Sequence, residues 1–223
     1  VVTTPLGCLA STETLLHLGA RIRWADVDPA TGMLDPESVK RTVRAHGAKA
    51  IVGVDWGGSI GPWAAVREDN PTVAIIEDAA HAFGAHHALD VSVVDAVAYS
   101  FQAIKTLTTC DGGALVTRNP ADLTRAKLLR WFGLDRANGA TMRCTQTVRE
   151  PGYKFQMHDV AAAIGRANLH DVVPHRIAAQ RAHAVAYDAA FAYSNVRPLR
   201  RSPSSTCWLY SVRVPNAPAF IAA

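Results

Sequence analysis

An amine and a carboxylate in this sequence are spaced for covalent chemistry. Lys105 lies in the run Ser100-Phe101-Gln102-Ala103-Ile104-Lys105-Thr106-Leu107-Thr108-Thr109-Cys110-Asp111-Gly112-Gly113, and the apolar segment Ile75-Ile76-Glu77-Asp78-Ala79-Ala80-His81 precedes it. A lysine amine forms a Schiff base with an aldehyde. A carboxylate beside a pyridine nitrogen keeps that nitrogen protonated, so the ring accepts the electrons of a substrate carbanion. Lys105 is the candidate amine and Asp78 the candidate carboxylate of a pyridoxal 5'-phosphate site.

The elements that must position these groups alternate along the chain. Cys8 to Leu18 has apolar residues at helical spacing and stops at Gly19; Ile22 to Val27 reads as a strand; Pro36 to Ala45 reads as a helix with Asp35 as its N-cap. Ala50 to Val54 is a β-branched run, Pro62 to Arg67 a short helix, and Val73 to Ile76 a buried strand. Val93 to Phe101 and Ala114 to Thr117 add two strands, the second after the Asp111-Gly112-Gly113 turn. The pattern predicts an α/β fold with a mostly parallel sheet flanked by helices. Helical patterns follow over Pro120 to Phe132, His158 to Leu169 and His175 to Tyr193, and Cys207 to Val214 reads as a strand. A boundary near residue 175 divides a large domain, residues 1–174, from the start of a smaller one, residues 175–223.

In this arrangement Asp78 falls at the carboxyl end of a buried strand, where open α/β sheets bind ligands. Ser100 ends another strand, with Lys105 on the loop beyond. Two neighbouring strand ends then converge on one ligand. Taken singly, the residues say less: a loop lysine is ordinarily solvated, Asp78 could simply cap the turn after it, and His81 could be a packing histidine.

The segments Glu77-Asp78-Ala79-Ala80-His81-Ala82, Ser100 to Lys105 and Cys110-Asp111-Gly112-Gly113 resemble the DegT/StrS family of nucleotide-sugar aminotransferases, fold type I of the pyridoxal phosphate enzymes. Leu129-Arg130-Trp131-Phe132-Gly133-Leu134-Asp135-Arg136 and Pro151-Gly152-Tyr153-Lys154-Phe155-Gln156-Met157-His158-Asp159-Val160, with Ala161 to Gly165 after it, extend the resemblance in the same order. The resemblance implies a role for each matching position. Asp78 pairs with the pyridine nitrogen, Ala80 packs on the ring, and His81 sits beside the ring hydroxyl. Ser100 binds the phosphate and Lys105 holds the aldehyde. It also implies that Lys154 and Gln156 reach the cofactor phosphate of a second subunit, so that a homodimer forms the site. The substrates it implies are an amino-acid donor, glutamate, and a nucleotide-linked keto-sugar.

The sequence departs from the family pattern in places. Leu9 stands where the family has an aromatic residue over the cofactor, and Val54-Asp55-Trp56-Gly57-Gly58 replaces its Val-His-x-x-Gly strand end. A Gly-Thr-x-Ala phosphate loop is expected upstream of Val1 and the rest of the small domain beyond Ala223, so the chain reads as an internal segment of a longer protein. Within the family, a deoxysugar dehydratase is implied where a histidine replaces the lysine; the retained Lys105 favours transamination. A truncated relative serving as a dimerisation or binding module is the reading from another class. A metal site built from His81, His86 and His87 is disfavoured because adjacent side chains diverge on a strand.

Composition excludes other classes. The 223 residues are 49% hydrophobic and 19% charged, enough for a sizeable core. The net charge is +4, and its one local concentration, Arg197, Arg200 and Arg201, lacks the aromatic interleaving of a nucleic-acid surface; a solvated loop or an anionic substrate suits it better. Neither a membrane-length apolar run nor a signal-type N-terminus is present. Cys8, Cys110, Cys144 and Cys207 are scattered without metal or disulfide spacing, which fits a cytoplasmic protein.

Overall fold

The computed structural model describes residues 1–85, 91–136 and 145–222. Six strands form the central sheet in the order β2-β1-β3-β4-β5-β6: β1 (Val2–Thr3), β2 (Arg23–Trp24), β3 (Ala50–Val54), β4 (Ala74–Asp78), β5 (Ala96–Ser100) and β6 (Gly113–Thr117). Neighbours are parallel except β5 and β6, which pair antiparallel with Ser100 opposite Gly113. This is the mostly parallel sheet flanked by helices expected from the sequence, with one antiparallel edge.

Local chemistry sets these elements. In α2 (Pro36–His46), the Asp35 carboxylate accepts from the Glu37 and Ser38 N–H groups at 3.2 and 3.3 Å, and Gly47 closes the helix in the left-handed region (φ 58°). Val39 and Val43, four residues apart, put one face of α2 into the core. There they meet Val2, Ile51, Ile75, Val66 of α3 (Trp63–Asp69) and Val97. β3 carries a glycine in mid-strand because its neighbours leave no room: a Cβ on Gly53 would lie 2.5 Å from Trp63 and 2.6 Å from Leu34.

A guanidinium ties the sheet to α3. Arg67 pairs with Asp95 at 2.6 Å and donates to the carbonyls of Val73 and Val93 at 2.9 and 3.0 Å, while Asp95 also accepts from the Ile75 N–H at 2.8 Å. Charge-assisted bonds thereby lock the start of β4 and β5.

The remaining helices are α1 (Leu9–His17), α4 (Pro120–Leu129), α5 (Asp159–Asp171), α6 (Val173–Phe191) and α7 (Ala217–Ala222). The expected helix to Phe132 stops at Leu129: Phe132 and Gly133 turn left-handed (φ 56° and 80°) and the Phe132 N–H goes to the Tyr153 carbonyl. Residue 174, the expected last residue of the large domain, falls in the first turn of α6, whose Val173 and Ile177 pack with Phe101 and Leu107. Two expected strands are shorter than read. Ile22 to Val27 contributes only the exposed edge pair Arg23–Trp24. Of Cys207 to Val214 only β8 (Val212–Arg213) pairs, with β7 (Arg197–Pro198), because the chain turns at Cys207 (φ 54°). Among the described residues no helix is long and apolar enough to cross a membrane.

Candidate active site

The carboxyl ends of β4 and β5 lie side by side and bring the expected residues together. Asp78 is the last residue of β4, in register with Ala98 of β5. Its Oδ1 accepts from the Ala80 N–H at 3.0 Å, and its Oδ2 accepts from the Ser11 hydroxyl of α1 at 2.5 Å. The carboxylate is half-buried and held from two sides, so its direction is fixed before any ligand arrives.

Lys105 lies on the loop that joins β5 to β6. The loop is closed at both ends, by Phe101 N–H to the Gly112 carbonyl at 2.8 Å and Thr109 N–H to the Phe101 carbonyl at 2.9 Å. Arg176 of α6 donates to the carbonyls of Lys105 and Thr106 at 3.0 and 2.9 Å, pinning the backbone under the amine. Burial pulls the Lys105 ammonium below its ordinary range, and the negative charge of Asp78, with Cys8, partly offsets this. An amine so placed deprotonates more readily than a surface lysine, which is what a nucleophile needs.

His81 is buried and neutral. Burial, then repulsion from Lys105, pushes its imidazole down to about 4. Its Nδ1 accepts from the Gly57 N–H at 3.4 Å, leaving the proton on Nε2. The ring stacks on Trp208, centroids 4.2 Å apart at 29°, and Trp56 meets it edge-on.

Ser100 ends β5, and its Oγ accepts from the Gln102 N–H at 3.3 Å. Lys154 and Gln156 are elsewhere. Lys154 bridges to Trp131, with its amine 5.6 Å from that ring, and the Gln156 N–H donates to the Arg130 carbonyl at 3.1 Å. No hydrogen bond or ring contact among the described residues joins either to Asp78 or Lys105. Leu9 is exposed at the start of α1. Among the described residues no three His, Cys, Asp or Glu side chains are grouped to hold a metal; His86 and His87 lie outside those residues.

Ser11 and Trp208 escaped the sequence reading. Ser11 is one hydroxyl in an ordinary helix, and its signal was only that α1 begins above the sheet's carboxyl edge. Trp208 arrives from 104 residues beyond Ile104, whose carbonyl accepts from its Nε1 at 3.1 Å, and no spacing rule connects the two.

The residues fit pyridoxal phosphate. Asp78 offers an oriented anion for a ring nitrogen, Ala80 is small enough for a ring to lie on, Lys105 offers an amine of lowered basicity, and Ser100 a hydroxyl for phosphate. The mostly parallel sheet flanked by helices is the fold of the fold type I class of pyridoxal phosphate enzymes.

Comparison with known proteins names the family. The profile of the DegT/DnrJ/EryC1/StrS aminotransferase family matches residues 1–220, and the chain belongs to that family. It is 33% identical over 180 residues to the spore coat polysaccharide biosynthesis protein SpsC of Bacillus subtilis, covering 76% of this chain and 45% of that protein. Among solved structures, AtS13 from Actinomadura melliaura superposes with a TM-score of 0.88 at 33% identity, over 99% of this chain and 62% of that one. The sugar aminotransferase CalS13 from Micromonospora echinospora gives 0.87 at 30% identity, over 99% and 63%. The chain thus spans about half to two thirds of the length of these relatives.

Proposed function

We propose that the protein is a pyridoxal-phosphate-dependent aminotransferase that moves an amino group from an amino acid, glutamate, to a nucleotide-linked keto-sugar. The observation that carries this reading is the placement of the Asp78 carboxylate at the end of β4 and the partly desolvated Lys105 amine on the loop after the neighbouring β5, near enough for the charge of Asp78 to act on the amine. Family membership and the likeness to CalS13 support the sugar as acceptor.

Pyridoxal phosphate, when bound, supplies an aldehyde for amines and a ring that takes up electron density from a carbanion. The residues do the rest. Asp78, steadied by Ser11 and Ala80, holds a proton on the ring nitrogen. Lys105 would provide the nucleophilic amine and serve as the general base that takes up the donor's α-proton. Neutral His81 presents its Nε2 proton to the ring hydroxyl, and Ser100 donates to phosphate.

Lys154 and Gln156 contribute to the phosphate pocket of a second copy in this reading, with a homodimer as the working unit. Gln156 has a buried Oε1 without a hydrogen-bond partner, which suits a residue whose counterpart is on another subunit. The separate β7–β8 sheet supports reading residues 175–223 as the start of a smaller domain. We place the reaction in the cytoplasm, in keeping with the free thiols of Cys8, Cys110 and Cys207.

Borohydride reduction of the protein with pyridoxal phosphate, followed by peptide mapping, tests the assignment. A label on Lys105 is expected. A label elsewhere with Lys105 unmodified would overturn it.

A further inference from the structure

The successive carbonyls of Ile104, Lys105 and Thr106 all accept hydrogen bonds from side chains that come much later in the chain. Trp208 Nε1–H donates to Ile104 at 3.1 Å, and Arg176 Nη1 donates to Lys105 and Thr106 at 3.0 and 2.9 Å. A turn outside the sheet ladder must find partners for its carbonyls elsewhere, and here α6 and the segment beyond it supply them.

The same helix holds the segment that brings the indole. Arg181 of α6 donates through Nε to the Ser205 carbonyl and through Nη2 to the Ser204 carbonyl, both at 2.8 Å. Just beyond, Trp208 lies over the Lys105 amine and returns to Ile104. The contacts close a circuit. It runs from α6 to the lysine loop through Arg176, from the loop to the indole through Ile104, and from the 204–208 segment back to α6 through Arg181. Behind it, Val173 and Ile177 of α6 pack with Phe101 and Leu107, on either side of Lys105, and Asn168 of α5 donates to the Thr108 carbonyl at 2.9 Å.

A lysine amine sits at the end of a flexible four-carbon stem. Its place is therefore decided by where the stem is rooted and what its tip lies against. Arg176 fixes the root through charge-assisted bonds to adjoining carbonyls, and Trp208 covers the tip. Arg176 is half-buried and Thr106 is buried, so water is a poor substitute for the guanidinium.

We propose that Arg176 is a positioning residue for Lys105: by holding the Lys105 and Thr106 carbonyls it keeps the amine against Trp208 and beside Asp78, so that the place of the amine is set from α6. The consequence for turnover rests on the aminotransferase reading. The placement of the amine does not.

Proton–carbon NMR of the full chain, with lysine labelled at Cε, reads the placement. The Lys105 Nζ lies over the indole, so the ring current should shift the adjoining ε-methylene protons upfield, and Trp208→Leu should abolish that shift. Arg176→Met keeps an unbranched stem and removes the donors, and the shift should be lost. Arg176→Lys restores an ammonium with several donors, and the shift should remain. An unshifted wild-type signal, a shift unchanged in Arg176→Met or one lost in Arg176→Lys would each overturn the proposal, and the last needs no assumption about how well the methionine variant folds. With cofactor and substrates, Arg176→Met should lose about tenfold or more in kcat with KM little changed, and Arg176→Lys should stay within about threefold of wild type. An unchanged kcat in an Arg176→Met protein whose amine has moved would overturn the positioning role. The NMR measurement requires neither cofactor nor turnover, so it separates failure of this proposal from failure of the aminotransferase reading.

Discussion

The Lys105 amine lies 4.1 Å from the centroid of the Trp208 ring, and the same indole stacks on His81. Two basic groups thus share one aromatic neighbour, and they do not share it equally. The ring face attracts the ammonium, while burial under the indole and the nearby Lys105 charge both disfavour an imidazolium. The pocket therefore holds one cation beside Asp78 rather than two.

A pH dependence of stability follows from His81. Its folded value, about 4, lies below the ordinary 6.5, so its contribution is fully present above pH 6.5 and is lost as the pH falls from there toward 4. The difference amounts to about 3 kcal/mol. Denaturant titrations over that window should show the loss, and His81→Gln should flatten it. In Trp208→Ala the ring gains water, and its titration followed by NMR should move up toward 6.5.

Asp78→Asn keeps the shape and removes the charge. Asparagine can still accept from the Ala80 N–H, so the fold should persist, whereas single-turnover proton abstraction should slow by orders of magnitude. Ser11→Ala removes one hydrogen bond to the carboxylate, worth about 1.5 kcal/mol, and the same step should slow by roughly tenfold. A normal rate in Asp78→Asn would mean that another group protonates the ring nitrogen.

Mixed subunits should report on Lys154 and Gln156. Lys105→Ala dimers and dimers altered at both Lys154 and Gln156 are each expected to be impaired. Co-refolding them should restore up to one intact site per heterodimer, seen as recovered turnover. Absence of recovery would place the phosphate contacts within one chain.

Arg67→Met should destabilise the sheet without touching the chemistry. It leaves the Val73 and Val93 carbonyls without their donor and Asp95 with only the Ile75 N–H and the outlying Arg118 guanidinium, at a cost of about 1–2 kcal/mol, read as a lower denaturation midpoint. Turnover of the folded fraction should be unchanged.

The parts of the fold legible in sequence are those whose signals are local. Asp35 and Gly47 bound α2 through cap chemistry, and the β-branched run at Ala50–Val54 is a central strand because both its faces are covered. The edge pair Arg23–Trp24 and the short β8 were over-read, since apolar and aromatic residues there serve other packing: Leu209 and Ser211 engage the Trp56–Gly57 turn instead of a neighbouring strand. At the site, Asp78 and Lys105 were legible because a strand end and a Gly-Gly turn mark them. Ser11 and Trp208 were not, because each meets its partner only through tertiary folding.

The distance along the chain from Asp78 to Trp208 has a consequence during synthesis. A nascent chain that has emerged only as far as α6 already contains the amine and the carboxylate, but not the indole that covers them. The ring arrives with the segment that ties Thr206 to Gly58 and Leu209 to Gly57, well after the lysine has been made. Until then the amine is open to any aldehyde in its surroundings. The order of translation therefore exposes the reactive group first and encloses it afterwards, and a ribosome stalled near residue 200 would display an unguarded lysine.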